Sequence, residues 1–166
     1  MRKTIEASMV VIDKTARTLS LVEDGQTIAT FPALLGKNSG PKEREGDMRT
    51  PEGRYFVLQL LPDETTAGTG YYKSLHISYP EVKDAEKGFA EGRIDQQVYE
   101  QILWDYQQGK MPPQESALGG CVAIHAGLAP DEKFERGTKG CVVLRNEDMD
   151  HLYAFSYPGM PILILP

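Results

Sequence analysis

The chain has 166 residues, 40% hydrophobic and 25% charged, which suits one domain with a sizeable core. A formal net charge of −6 argues against nucleic-acid binding, because phosphate contacts need clustered Lys and Arg, and the densest basic group here (Lys42, Arg44, Arg49, Arg54) is interrupted by Glu43, Glu45, Asp47 and Glu52. No apolar run is long enough for a transmembrane segment, and Met1-Arg2-Lys3-Thr4-Ile5-Glu6 lacks the apolar stretch of a signal peptide. The expectation is either a cytosolic protein or a mature fragment behind an added start methionine.

In chain order, Ser8–Asp13 is apolar and β-branched and Thr18–Glu23 alternates apolar with polar, so each predicts a strand, with turns at Lys14–Arg17 and Asp24-Gly25. A third strand is expected over Gln26–Leu35. Lys42 to Arg54, with Gly46-Asp47 and Thr50-Pro51-Glu52-Gly53, reads as a solvated surface loop. Strand character resumes over Tyr55–Leu61 and again over Ser74–Tyr79. Asp84–Gly88 predicts a helical turn. A longer helix runs from an N-cap at Asp95 to about Gln108, with Gly109 as its stop. Its stripe of Ile94, Val98, Ile102 and Tyr106 is expected to cover part of the sheet.

Lys110–Glu115 reads as a linker, Gly119–His125 as a short buried strand, and Ala126–Lys139 as the loop before a strand over Gly140–Leu144. Asn146 is the expected cap of a short helix over Glu147–Phe155, and Pro161–Leu165 is the last strand. Strands outnumber helices, so the fold class is mostly β, in a single domain over 1–166 with a few short helices.

The chemistry concentrates in two cysteines, Cys121 and Cys141, and three histidines. Neither a Cys-x-x-Cys nor a His-x-x-x-His pattern is present, so no metal is expected. His125 and Cys141 each end or begin an apolar strand, sixteen residues apart. A thiol becomes a strong nucleophile when a base holds or removes its proton, so two strand ends bringing this pair together would make a cysteine acyl-transfer site. Taken singly, Cys141 reads as an inert buried cysteine and His125 as a half-buried strand histidine. Gly140 permits close backbone approach, and amides around it could stabilise an oxyanion. Cys121 stands four residues before His125, either as a packing residue or close enough to oxidise with Cys141.

His125-x-Gly127 followed by Thr138-x-Gly140-Cys141 resembles the signature of the L,D-transpeptidase catalytic domain family, the YkuD type. Gly46-Asp47-x-Arg49-Thr50-Pro51-Glu52-Gly53-x-Tyr55 is similar to a second stretch of that family. So are the opening Val10–Asp13, Ile77-Ser78-Tyr79-Pro80, Gly119-Gly120 and the segment Leu144–Tyr153 after the cysteine. Together they span roughly residues 8 to 165 in the family's order.

The resemblance implies a β-sandwich-like domain acting on peptidoglycan stem peptides without a cofactor. Cys141 would be the nucleophile, His125 the general base and then acid, and Gly140 the source of backbone geometry and an oxyanion donor. Thr138, Lys139, Tyr79, His76 and Arg145 would line the substrate site. The acceptor would be an amine on a second stem peptide or on a wall-anchored protein, or water in an L,D-carboxypeptidase or amidase. It also implies acylation by carbapenem inhibitors and an exported, periplasmic or wall-associated location. A non-catalytic wall-binding module is the reading from another class. Three positions depart from the family pattern: Lys139 replaces a histidine, Ala126 replaces a glycine, and Val143 stands where an arginine is common. Carboxylate recognition then falls to Lys139, Arg145 or a residue elsewhere.

Overall fold

In the computed structural model, which describes residues 8–63, 71–127 and 137–166, alternating apolar side chains build the opening meander. Strand β1 (Met9–Asp13) pairs antiparallel with β2 (Thr18–Glu23), and β2 pairs with β3 (Gln26–Pro32). Val10, Ile12, Leu19 and Leu21 all point into the core, as period-two alternation requires. The last strand, β8 (Pro161–Leu165), inserts parallel to β1 and antiparallel to β4 (Gly53–Leu61). From β4 the sheet continues through β5 (Tyr72–Ile77), β6 (Ala123–Ala126) and β7 (Val142–Val143), in the order β3-β2-β1-β8-β4-β5-β6-β7.

Two features fold this order around one core. β4 is shared, its Gly53–Phe56 end on β8 and its Val57–Leu61 end on β5. The far ends then meet: beyond β3, Leu34 exchanges backbone hydrogen bonds with Val143 of β7, at 2.9 and 2.8 Å. Val10 and Leu21 from one half therefore share a hydrophobic cluster with Leu75, Ile124 and Val142 from the other. Each such aliphatic side chain contributes about 1.5–3 kcal/mol by burial. The expected mostly-β class holds.

The helices differ in detail from expectation. The segment expected as a helical turn is the nine-residue α1 (Val82–Ala90), opened by a capping box between Glu81 and Asp84. The longer helix is α2 (Gln96–Gln107), capped by Asp95, whose carboxylate accepts from the Val98 N–H. Its buried face packs on α1 and not chiefly on the sheet: Ile94 and Ile102 join Ala85 and Leu118 in a separate small cluster. Tyr106 is exposed and reaches Phe56 of β4, ring centroids 6.3 Å apart. Helix α3 (Asn146–Phe155) begins at the expected cap residue itself, which moves the N-cap back one residue to Arg145, with no side-chain capping bond. Its Met149 and Leu152 seal the core below β6 and β7.

Candidate active site

Strand register places the chemistry. Strands β6 and β7 run parallel, with Ile124 opposite Val142 and His125 opposite Val143. One step back along both chains sets Cys141, just before β7, level with Ala123. Ile124 and Val142 turn into the core, so alternation puts Ala123, His125, Cys141 and Val143 on the other face. On the opposite flank β5 presents Ser74 beside His125 and His76 beside Ala123. One face thus carries His76–Ala123–Cys141 in one row and Ser74–His125–Val143 in the next. The small Ala123 side chain separates an imidazole from a thiol in the first row, and His125 is diagonal to both.

Both members of the pair are held near neutrality. Burial is the largest influence on His125, which is 8% exposed, and it holds the imidazole below its ordinary range; the Ala126 carbonyl, 3.0 Å from Nδ1, opposes this, and His76 adds to it. Burial likewise pushes the Cys141 thiol up, against the Ala123 backbone N–H and the Lys42 charge, with Cys121 adding to the rise. A neutral thiol with a neutral imidazole diagonal to it on the same face suits general-base activation, in contrast to a preformed thiolate–imidazolium pair. The Cys141 Sγ points at the Cys121 carbonyl oxygen, 3.5 Å away.

The cysteine loop is fixed by hydrogen bonds from two threonine hydroxyls, Thr138 and Thr50. Thr138 Oγ1 accepts from the Gly140 N–H at 3.0 Å and donates to the Cys141 carbonyl at 2.6 Å. Thr50, expected in a solvated turn, is fully buried; its hydroxyl donates to the Gly140 carbonyl at 3.0 Å and accepts from the Gly36 N–H at 2.8 Å. Gly140 has φ +143°, and a Cβ there would stand 2.8 Å from the Arg49 carbonyl oxygen, so only glycine lets the two backbones meet.

The loop ahead of Thr50 is built rather than solvated. Asp47 accepts from Lys42 Nζ at 2.9 Å and from the N–H groups of Glu43, Arg44 and Arg49 at 2.8–3.1 Å. Burial alone would raise the carboxyl, but the Glu43 N–H, the Lys42 ammonium and the other two amides together hold it below its ordinary range.

The remaining expected residues scatter. His76 is half-buried on the catalytic face. Lys139 is exposed at the loop tip, and Arg145 is exposed beyond β7 at the start of α3. Tyr79 is placed elsewhere: it is 0% exposed, its hydroxyl donates to the Leu118 carbonyl at 2.8 Å, and its ring packs near Tyr55. Cys121, expected either as a packing residue or close enough to oxidise with Cys141, is exposed with φ 54°, and β6 begins only at Ala123. Most of the expected Ala126–Lys139 loop lies outside the described residues.

Tyr71 went unnoticed in the sequence. Its ring lies against His125, centroids 4.1 Å apart, and burial with the nearby Cys141 and Cys121 pushes its hydroxyl up. A cavity of about 700 Å³ is lined by Lys14, Arg17, Leu34, Lys37 and Gly137 rather than by the dyad. It adjoins the site through Leu34, which pairs with Val143. Among the described residues no helix is long and apolar enough to cross a membrane, and no group of His, Cys, Asp and Glu is arranged to hold a metal.

Comparison with known proteins gives a consistent result. The L,D-transpeptidase catalytic domain (YkuD) family model matches residues 7–164. The candidate L,D-transpeptidase YafK of Escherichia coli K12 is 43% identical over 136 residues, which is 76% of this chain and 39% of YafK. The chain therefore spans about two fifths of that relative's length. The structure of Bd1075 from Bdellovibrio bacteriovorus superposes with a TM-score of 0.61 at 25% identity, covering 98% of this chain and 49% of that one. The helical cell shape determining protein Pgp2 from Campylobacter jejuni gives 0.61 at 21% identity, covering 99% and 51%, a likeness of fold.

Proposed function

The chain belongs to the L,D-transpeptidase catalytic domain family, and from that membership we propose that it is a cysteine L,D-transpeptidase acting on peptidoglycan stem peptides outside the cytoplasmic membrane. The observation that carries the reading is the placement of Cys141 and His125 on one sheet face, on neighbouring parallel strands, with burial keeping both neutral.

In this reading the Cys141 sulfur attacks the carbonyl at the L-centre of the diamino acid while His125 takes the thiol proton. The tetrahedral intermediate collapses as His125 returns that proton to the departing D-alanine amine, leaving a thioester on Cys141. An acceptor amine then takes the acyl group in a cross-link, or water takes it in a hydrolysis. Gly140 sets the backbone path that presents the thiol. Its N–H reaches the oxyanion only by leaving Thr138 Oγ1, so Thr138 acts as the gate on that donor.

His76, half-buried on the same face, is the expected side chain best placed to meet the substrate, with Lys139 and Arg145 at the rim for its carboxylates. Incubation with a disaccharide tetrapeptide and mass analysis of the products tests the reaction. Cross-linked dimer supports transfer, and tripeptide alone moves the assignment to an L,D-carboxypeptidase. Unchanged substrate counts against the activity as a whole.

A further inference from the structure

Cys121 has no packing task. It is exposed, and it adopts a left-handed backbone conformation that glycine or asparagine fills more readily. The turn is nonetheless held firmly. Gln114 Oε1 accepts from the Cys121 N–H at 2.6 Å, while Gln114 Nε2 donates to the carbonyls of Tyr79 and Pro112 at 3.2 and 2.9 Å.

The result of that anchoring is proximity to the nucleophile. The Cys141 Sγ lies 3.5 Å from the Cys121 carbonyl oxygen. A carbonyl oxygen is about 2.4 Å from its own Cα, so the sulfur stands within about 6 Å of the Cys121 Cα. A disulfide needs the two sulfurs about 2.05 Å apart, so closure requires the exposed Cys121 side chain to turn toward the Cys141 sulfur that already rests against its own carbonyl. Tyr71 senses both sulfurs at once, since each cysteine pushes its hydroxyl in the same direction.

We propose that Cys121 and Cys141 form a peroxide-responsive modification site, with Cys121 oxidised first and Cys141 closing a reversible disulfide that shuts off the active site. The proposal rests on the reading of Cys141 as a nucleophile that His125 activates. Cys121 is the exposed thiol, so a hydroperoxide from solvent meets it first. An S–O bond forms on Cys121 as the peroxide O–O bond breaks, and water leaves, giving a sulfenic acid. The Cys141 sulfur then attacks the Cys121 sulfur while His125 takes its proton. The S–S bond forms, the S–O bond breaks, and the departing hydroxide recovers that proton as water. Two thiols and one peroxide give one disulfide and two waters. A dithiol reverses the change by exchange through a mixed disulfide.

The test treats the protein with hydrogen peroxide, alkylates remaining thiols with iodoacetamide, and reads intact mass and linked peptides. The expected wild-type result is a monomer lighter by two hydrogen atoms, with both alkylation sites lost together and a Cys121–Cys141 peptide pair. Carbapenem acylation should be lost in step and return with dithiothreitol. Cys121→Ser should show no such paired loss, and acylation lost to longer peroxide exposure should stay lost after dithiothreitol. Independent loss of the two thiols with gain of oxygen, or a disulfide only between two chains, would overturn the proposal. Thiol counting needs no activity, so an untreated protein that fails to react with the carbapenem would speak against the enzymatic reading alone.

Discussion

Tyr71 lies across His125, the two rings 4.1 Å apart at 39°, and so covers the imidazole from the solvent side while remaining 44% exposed itself. Burial is what holds His125 below the ordinary value of 6.5, and a base must be neutral to take the thiol proton. The acid limb of the acylation rate is therefore expected at a midpoint below pH 6.5, activity falling as pH drops through it. Tyr71→Ala should uncover the ring and move that limb up toward 6.5, whereas Tyr71→Phe should leave it in place. Rates of carbapenem acylation from pH 4 to 8 check this, and a limb unmoved in Tyr71→Ala would remove the role given to the tyrosine.

Asp47 is the hub of the loop that supports Thr50. Asp47→Ala strands a buried Lys42 ammonium and three N–H groups, so a cost of about 3–5 kcal/mol in unfolding free energy is expected by urea titration. Replacing both partners by similarly sized apolar residues, Lys42→Met with Asp47→Leu, should recover part of that loss, because no uncompensated charge remains.

Gly140→Ala forces a side chain into a left-handed conformation and against the Arg49 carbonyl. Strain of about 1–3 kcal/mol is expected in thermal unfolding. The larger effect should be kinetic. A displacement of Cys141 by about 1 Å is enough to slow acylation roughly 100-fold, so the variant should fold yet react slowly.

Tyr79→Phe separates a core residue from a substrate contact. Loss of the hydroxyl bond to Leu118 should cost about 1 kcal/mol or somewhat more, since the carbonyl is left buried. The KM for tetrapeptide should not change. A raised KM at unchanged stability would return Tyr79 to the substrate site.

What the sequence made legible follows from the range of each interaction. Alternation over Thr18–Glu23 marked β2 to the residue, and the Pro158-Gly159 turn before an apolar run marked β8, because both signals are local. The Asp95 cap and the α2 stripe were equally local. The stripe shows that a face is buried but not against what, which is why α1 and Leu118 replaced the sheet as its partner. The spacing of His125 and Cys141 pointed to a pair, and only the β6–β7 register put them on one face. Thr50 and Gly140 are ninety residues apart, so nothing in the local pattern of either announced the bond between them. Tyr71 carries no motif at all. Its place over His125 is a product of strand pairing between β5 and β6.

The central claim is that Cys141 is a nucleophile that His125 activates. Intact-mass spectrometry after exposure to a carbapenem tests it most directly. The account predicts one added drug mass on the wild-type protein, none on Cys141→Ala, an unchanged adduct on Cys121→Ala and a strongly slowed one on His125→Asn. An adduct that persists in Cys141→Ala, or a wild-type protein left unmodified where another family member is acylated, would contradict it.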